Sequence, residues 1–167
     1  MDDALTPERP SDSAHPEGEW GRSSTDERFR LVISGIFHLP WGLTLAPVYE
    51  YGSGRPWTRL AGWDLNNDSA FDDRRPGVDR NDQDGPPFRQ LSLRLTKAVA
   101  LGRRGHLDII LEAFNVFDTT NYDVNSVYNA EYYLDPVTLQ PVANPDLGTY
   151  SATLPPREIQ LGLRYAF

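Results

Sequence analysis

Hydrophobic and polar residues alternate along five stretches of this chain, and a period of two is typical of β-strands with one apolar face. The pattern predicts strands at about 28–39, 43–52, 88–101, 106–117 and 157–167. Each stretch has roughly the 9–11 residues that a tilted strand needs to cross a bilayer, whereas strands in soluble sheets are more often about 5–6 residues long. Strand length therefore favours a membrane sheet over a soluble β-sandwich.

The connections between these strands alternate between short and long. Short turns lie around Trp41 and at 102–105, whereas the segments 53–87 and 118–156 are far longer than the roughly 2–5 residues of an ordinary hairpin. Short turns at one end and long extracellular loops at the other are typical of bacterial outer-membrane barrels. The sequence therefore predicts an all-β fold: an antiparallel meander of about five long transmembrane strands, the C-terminal part of an outer-membrane β-barrel in contact with lipid.

Charge and composition narrow the class further. The net charge of −8 argues against nucleic acid as a partner, because phosphate binding needs a basic face. Segment 1–27 is acidic and rich in Pro and Ser, and it lacks the basic start and apolar core of a signal peptide. We expect a disordered remnant of an extracellular loop there, followed by a barrel segment at 28–167. Since the chain has no cysteine, disulfides and thiolate metal sites are excluded.

Three motifs carry a resemblance to a known family. They are Gly-Arg-Ser-Ser-Thr-Asp-Glu-Arg-Phe-Arg at 21–30, Tyr-Gly-Ser-Gly-Arg-Pro at 51–56 and Glu-Ala-Phe-Asn-Val-Phe-Asp at 112–118. From Trp20 onward the chain resembles the end of TonB-dependent receptors, especially the Oar-like branch with a carboxypeptidase-regulatory-like N-terminal domain. The resemblance implies a barrel of about 22 strands around a plug. It also implies that the TonB complex supplies the energy.

The last residues are similar to the assembly signal of outer-membrane barrels. Gln160, Gly162, Tyr165 and Phe167 follow its order of a polar residue, a glycine and two aromatic positions. An edge strand presents unpaired N–H and C=O groups, which a folding machine can capture by strand addition. Any amphipathic final strand would share part of this pattern. We expect the barrel-assembly machinery to be a partner of this strand.

One loop has a partial likeness to a calcium-binding loop. Asp64, Asn66, Asp68 and Asp72 supply oxygen ligands at nearly regular spacing. The likeness is incomplete, because Ser69 stands where a glycine is wanted and Arg75 where a bidentate glutamate would sit. Calcium is the one metal that the sequence suggests, and a solvated acidic turn is the alternative.

The second long loop is acidic and aromatic. Tyr122, Tyr128, Tyr132 and Tyr133 are candidates for contact with a substrate, although tyrosine-rich loops also pack on themselves. The three histidines are far apart in the strand pattern, so no acid–base pair or metal cluster is expected. We therefore predict no enzymatic activity and no catalytic residues.

Together these features predict a transport function. The chain is expected to be the C-terminal barrel wall of a TonB-dependent receptor in the outer membrane of a Gram-negative bacterium, taking up an unidentified substrate. As a fragment it is expected to be inactive alone, because the N-terminal barrel and plug, and through them the TonB complex, are missing. The alternative is a standalone outer-membrane or secreted β-structural or calcium-binding module. A soluble enzyme of the β-sandwich type is a third hypothesis.

Overall fold

The structure, a computed structural model, describes residues 10, 11 and 15–167. Its regular elements are β-strands and a few short 3-10 turns, and every strand pairing is antiparallel. The prediction of an all-β antiparallel protein is therefore confirmed. Among the described residues, no helix is long and apolar enough to cross a membrane.

The strands, in chain order, have the following bounds. They are β1 (Arg30–Ser34), β2 (Phe37–Leu39), β3 (Leu43–Gly52), β4 (Pro56–Trp57), β5 (Gln83–Asp84), β6 (Phe88–Ala100), β7 (His106–Phe114), β8 (Tyr132–Leu134), β9 (Pro141–Ala143) and β10 (Glu158–Ala166). Turns of 3-10 helix lie at Pro16–Glu19, Pro40–Gly42, Gly102–Arg104 and Val124–Ser126.

The chain forms two compact units, each assembled from three separate stretches. The sheet unit consists of 29–53, 87–121 and 153–167, and the loop unit consists of 54–86, 122–152 and the described residues of 1–28. Each unit is described by itself below.

The sheet unit is a meander with the strand order β1-β3-β6-β7-β10, and β2 also pairs with β3. The pairing is continuous from Leu43↔Lys97 to Gly52↔Phe88 between β3 and β6. It is likewise continuous from Phe114↔Glu158 to His106↔Ala166 between β7 and β10. Within the described part of the chain, β1 and β10 each pair on one side only, so the sheet is open and no closed barrel forms.

The first predicted strand, 28–39, differs from the structure. Its path is broken at Gly35 and Ile36, which separates β1 from β2. Pro47 lies opposite the break, and a proline has no N–H to donate to the ladder. The N–H of Gly35 donates to the carbonyl oxygen of Pro47 at 3.3 Å, so one bond survives. Within sheets, prolines are usually found at such irregular points or on edge strands.

The fourth predicted strand, 106–117, also ends earlier than expected. β7 stops at Phe114, because Asn115 adopts a left-handed backbone with φ of 47°. The Asn115 amide then closes the turn: its oxygen accepts from the N–H of Thr119 at 3.0 Å, and its nitrogen donates to the Thr119 carbonyl at 2.9 Å. Asn115 is almost completely buried. A side chain that satisfies the freed backbone groups thus ends the strand.

The loop unit contains structure that strand periodicity did not predict. β4 pairs with β5 and β8 pairs with β9, but these strands have only two or three residues each. A parallel bridge between Leu60 and Ala130 joins the two long loops. Among the described residues Ala61 is the only buried hydrophobic residue, so the loop unit has almost no apolar core.

Segment 1–27 was expected to be a disordered remnant of an extracellular loop, and this stays a prediction. Residues 1–9 and 12–14 lie outside the described residues. Further along, Arg22 forms ion pairs with Asp26 at 3.0 Å and with Asp84 at 2.5 Å. Glu19 pairs with Arg74 at 2.8 Å. Arginines therefore position Glu19 and Asp26 in this segment.

Candidate functional site

One face of the sheet is apolar across its whole width. The register aligns Leu45 with Leu95, Leu95 with Leu111, and Leu111 with Leu161, which makes a row of leucines over four strands. The neighbouring rows of side chains on this face are mostly apolar as well, because alternate residues of each strand point to the same face. Leu111 is 43% exposed and Leu161 is 74% exposed. A continuous exposed apolar surface is rare on soluble monomers and marks contact with a partner or a membrane.

Charged residues lie on this face only at its two ends within the paired strands. Lys97 is at the short-turn end, and its ammonium group donates to the carbonyl oxygen of Trp41. Arg89 is at the other end and stacks on Tyr51, with 5.8 Å from its guanidinium carbon to the ring centroid. The eight residue steps from Arg89 to Lys97 span about 27 Å along the strand, or roughly 20 Å of height at a tilt of ~40°. This height approaches the roughly 25 Å apolar band of an outer-membrane barrel, and long basic side chains extend further.

The opposite face of the sheet is polar and carries charges in pairs. Arg94 lies 3.4 Å from Glu112 across β6 and β7, and Arg30 lies 3.6 Å from Glu50 across β1 and β3. The register also places Arg164 opposite Asp108. These pairs are partly exposed, so each stabilises the sheet by at most about 1 kcal/mol. Their main significance is their position, because they give the sheet one charged face and leave the other face apolar.

Exposed aromatic residues gather at the short-turn end of the sheet. Trp41 is 82% exposed and has a φ of 61°, a left-handed conformation that costs a bulky residue energy. Tyr165 donates its hydroxyl to the carbonyl of Arg104 at 2.5 Å, and its ring lies 5.9 Å from that of Phe167. Amphipathic rings at one level are typical of a membrane interface.

The four residues of the predicted assembly signal all lie on or next to β10, the open edge. Gln160 and Gly162 share the polar face with Glu112 and Ile110, whereas Tyr165 lies on the apolar face opposite Leu107. A Cβ built on Gly162 would lie 3.7 Å from the Ile110 side chain, an ordinary contact distance. Packing against β7 therefore does not require a glycine at this position.

The loop unit is held together by a cluster of ion pairs around Glu131. This carboxylate is 7% exposed and contacts Arg75 at 2.5 Å and Arg59 at 3.2 Å. Arg59 also pairs with Asp82 at 3.1 Å. Glu131 is not among the predicted site residues, because no local sequence pattern marks a pairing between residues so far apart in the chain.

Three of the four predicted calcium residues, Asp64, Asn66 and Asp68, use their side-chain oxygens to accept hydrogen bonds from nearby backbone N–H groups. Asp64 accepts from the N–H groups of Asp68 at 3.2 Å and Ser69 at 2.8 Å, and Asn66 accepts from Asp68 at 2.9 Å. Asp72 accepts no hydrogen bond through its Oδ1 atom in the described chain. Across the described ranges no group of three or more His, Asp or Glu side chains is arranged to hold a metal ion. Calcium binding by this loop stays a prediction.

The four candidate tyrosines do not converge on one place in the loop unit. Tyr122 packs against Tyr150 with ring centroids 5.1 Å apart, and Tyr132 packs against Trp63 at 5.2 Å. Tyr128 and Tyr133 are exposed. Two of the four thus use their rings for internal packing, and substrate contact through this set stays a prediction.

Several titrating groups of the loop unit are shifted by their surroundings. Burial alone would raise the pKa of Glu19, but hydrogen bonds from Arg74 and Ser11 outweigh it and lower the pKa. Backbone hydrogen bonds from Thr138 and Val137 lower the pKa of Asp135. Burial raises the pKa of Tyr150. These carboxylates therefore stabilise the loop unit through their charged forms.

Comparison with models of known protein families, with curated proteins and with solved structures finds no match. The function of this chain is therefore inferred from its geometry and its sequence motifs.

Proposed function

We propose that this chain forms part of the wall of an outer-membrane β-barrel of the TonB-dependent receptor type, with its two long loops on the outer side. The observation that supports the proposal most is the two-faced sheet. Its apolar side carries charge only at Lys97 and Arg89, one at each end, and its other side holds paired charges. This distribution suits lipid on one side and a polar barrel interior on the other.

The open edges of the sheet determine what such a wall requires. The outer sides of β1 and β10 present backbone N–H and C=O groups without partners in the described sheet. In lipid each unpaired group costs several kcal/mol, and only a closed barrel avoids this cost. On this proposal, further strands pair with both edges and the sheet does not transport a substrate by itself. The motifs at 51–56 and 112–118 support the receptor family, and β10 is the strand that the barrel-assembly machinery would recognise.

The proposal is tested by membrane association of the full chain. Protein diluted from urea into dilauroylphosphatidylcholine vesicles should float with them in a density gradient, and the strands should resist added protease. In this experiment the further strands are absent, so copies of the chain must pair edge to edge to satisfy the open strands. The central variant is Leu161→Arg, on the apolar face near its middle. An arginine near the centre of a bilayer costs about 2–4 kcal/mol, so the vesicle-bound fraction should fall at least about tenfold.

Gln160→Arg is the matched control, since it places the same side chain on the polar face of the same strand. It should leave flotation unchanged. Two results would contradict the proposal: a wild-type chain that stays at the bottom of the gradient, and equal losses for both variants. The first result would favour the standalone secreted module.

A further inference from the structure

The loop unit contains a cavity of about 420 Å³ that is open to solvent on one side. This volume lies within the roughly 300–1,000 Å³ of small-molecule sites. Residues from all three stretches of the unit line it, including Glu19, Trp57, Asp72, Arg74, Asn125 and Asn129. None of the four tyrosines predicted to contact a substrate belongs to this lining.

The charged residues of the cavity lining are Glu19, Asp72 and Arg74, and one of the two carboxylates is not paired with the arginine. Arg74 pairs with Glu19 at 2.8 Å and donates to the carbonyl of Gly18 at 2.7 Å, so its charge is already matched. Glu19 also accepts from the hydroxyl of Ser11 at 2.8 Å. Asp72 is the remaining carboxylate of the lining. Because its negative charge would repel an anion, phosphates and carboxylates are disfavoured as ligands.

Asp72 also has hydrogen-bonding capacity that the chain does not use. Its Oδ1 atom is covered, yet it has no hydrogen-bond partner in the described residues. A buried acceptor left without a donor costs about 1–3 kcal/mol, and more when the group is charged. The carboxylate can turn about χ2 at little cost, because that torsion is broad, and either oxygen can then accept from a ligand.

The rest of the lining combines donors, acceptors and apolar surface. No hydrogen bond involves the Asn129 side chain in the described structure, so its amide can both donate and accept. The Trp57 ring is half-buried, and Leu60 and Val127 add aliphatic surface. A compact cation would use the acceptors alone. A sugar uses both kinds of group, since each hydroxyl donates and accepts, and its C–H face can contact an aromatic ring.

We propose that this cavity binds a neutral polyhydroxylated ligand of monosaccharide or disaccharide size. Asp72 and Asn129 hydrogen-bond its hydroxyls, and Trp57 contacts its C–H face. The inference rests on the proposed function for the location of the cavity outside the cell. It names the substrate class that the loops of such a receptor would select.

Saturation-transfer NMR on the full chain tests this assignment. The protein is held in micelles of an amine-oxide detergent, because a glycoside detergent would itself present a sugar. The probes are glucose, galactose, maltose and lactose, with putrescine as a cation and inorganic phosphate as an anion. At least one sugar should receive saturation, and phosphate should receive none.

Variants of the lining connect the signal to the cavity. Asp72→Ala and Asn129→Ala should each weaken sugar binding about tenfold, as expected for the loss of one or two hydrogen bonds to the ligand. Val127→Trp should abolish binding by filling the cavity without removing a polar group. Asp79→Ala is the control, because this acidic residue of the same loop is exposed and outside the lining. Circular dichroism of each variant should match that of the wild type.

Three results would overturn the proposal. They are no binding of any sugar, binding of putrescine in place of sugars, and sugar binding that Val127→Trp and Asp72→Ala leave unchanged in folded protein. Vesicle flotation separates this failure from that of the proposed function. A chain that floats but binds no sugar refutes only the cavity assignment, whereas a chain that binds sugar but does not float refutes the membrane wall.

Discussion

The two units of this protein are stabilised by different kinds of interaction. The sheet unit has regular strands with one polar and one apolar face, and leucines such as Leu111 and Leu161 are exposed on the apolar face. The loop unit has very short strands, and buried polar groups such as Asp73, Asn81 and Glu131 hold it together. Backbone pairing supplies the order in the first unit, and specific side-chain contacts supply it in the second.

This difference means that the units should respond to different perturbations. An apolar face gains stability from whatever removes it from water, so the sheet unit should depend on lipid or detergent. Ion pairs and charge-assisted hydrogen bonds depend on single partners and on protonation, so the loop unit should depend on particular residues and on pH.

The largest effect is expected at Glu131 in the loop unit. Glu131→Ala leaves Arg59 and Arg75 without their shared partner, and losing one member of a buried pair costs about 3–5 kcal/mol. Because both arginines are partly exposed, we expect a smaller loss of about 2–3 kcal/mol. Limited proteolysis in micelles should show faster cleavage within 54–86 and 122–152, while the sheet unit stays resistant.

Asp79→Ala serves again as the control, since it removes an exposed acid of the same unit. If Glu131→Ala makes the strands of the sheet unit as sensitive to protease as the loops, the two units do not differ in the way described here.

The sequence revealed the sheet unit far better than the loop unit, and the reason is physical. Strands such as β6 and β7 can be predicted from their own residues, because alternate residues face the same environment and the sequence therefore alternates between apolar and polar. The break at Gly35 depends on Pro47 across the sheet, and the strand pattern alone does not show it. The Glu131 cluster depends on arginines far away in the chain, and such polar pairings leave no periodic trace.

The candidate site is likewise predictable from the sequence only in its periodic part. The apolar and polar faces of the sheet follow from the alternation of residues along each strand. The cavity does not, because Trp57, Asp72 and Asn129 come from loops with no periodicity. Asp72 was singled out for its oxygen, as a calcium ligand, whereas its place in the cavity lining only appears once the loops are folded.

A second, smaller effect is expected at the loop end of the sheet unit. Asn115→Ala removes an almost fully buried amide that bonds both backbone groups of Thr119. Leaving those groups unsatisfied should cost about 1–3 kcal/mol. The measurement is the urea midpoint of the chain in micelles, and Asn67→Ala is its control. Asn67 also has a positive φ, 60° against 47° for Asn115, but it is exposed.

Because both substitutions place alanine in a left-handed conformation, they share the backbone cost, and the difference isolates the buried amide. Equal shifts would show that the sheet unit does not depend on this contact, and would sharpen its contrast with the loop unit.

The smallest expected effect is the pH response of the loop unit. Hydrogen bonds from Arg74 and Ser11 lower the pKa of Glu19 below its ordinary value in the folded protein. A lowered folded pKa stabilises the charged form, so this contribution is complete above the unfolded value of about 4.3 and is lost as pH falls through the folded value. Amide exchange around 15–22 should therefore accelerate in that acid range, relative to intrinsic rates.

Glu19→Gln should remove this pH dependence while leaving exchange in β6 and β7 unaffected. An acid response of equal size in the sheet strands would break the proposed contrast between the units.

The central claim is that the sheet carries a lipid-facing side and a polar side, and spin labelling tests it most directly. The chain has no cysteine, so single cysteines at each position from 91 to 96 in β6 can be labelled without background. In vesicles, labels at 91, 93 and 95 should collide more with oxygen, and labels at 92, 94 and 96 more with a water-soluble nickel chelate. Equal accessibility at odd and even positions, or nickel access at both, would contradict the account.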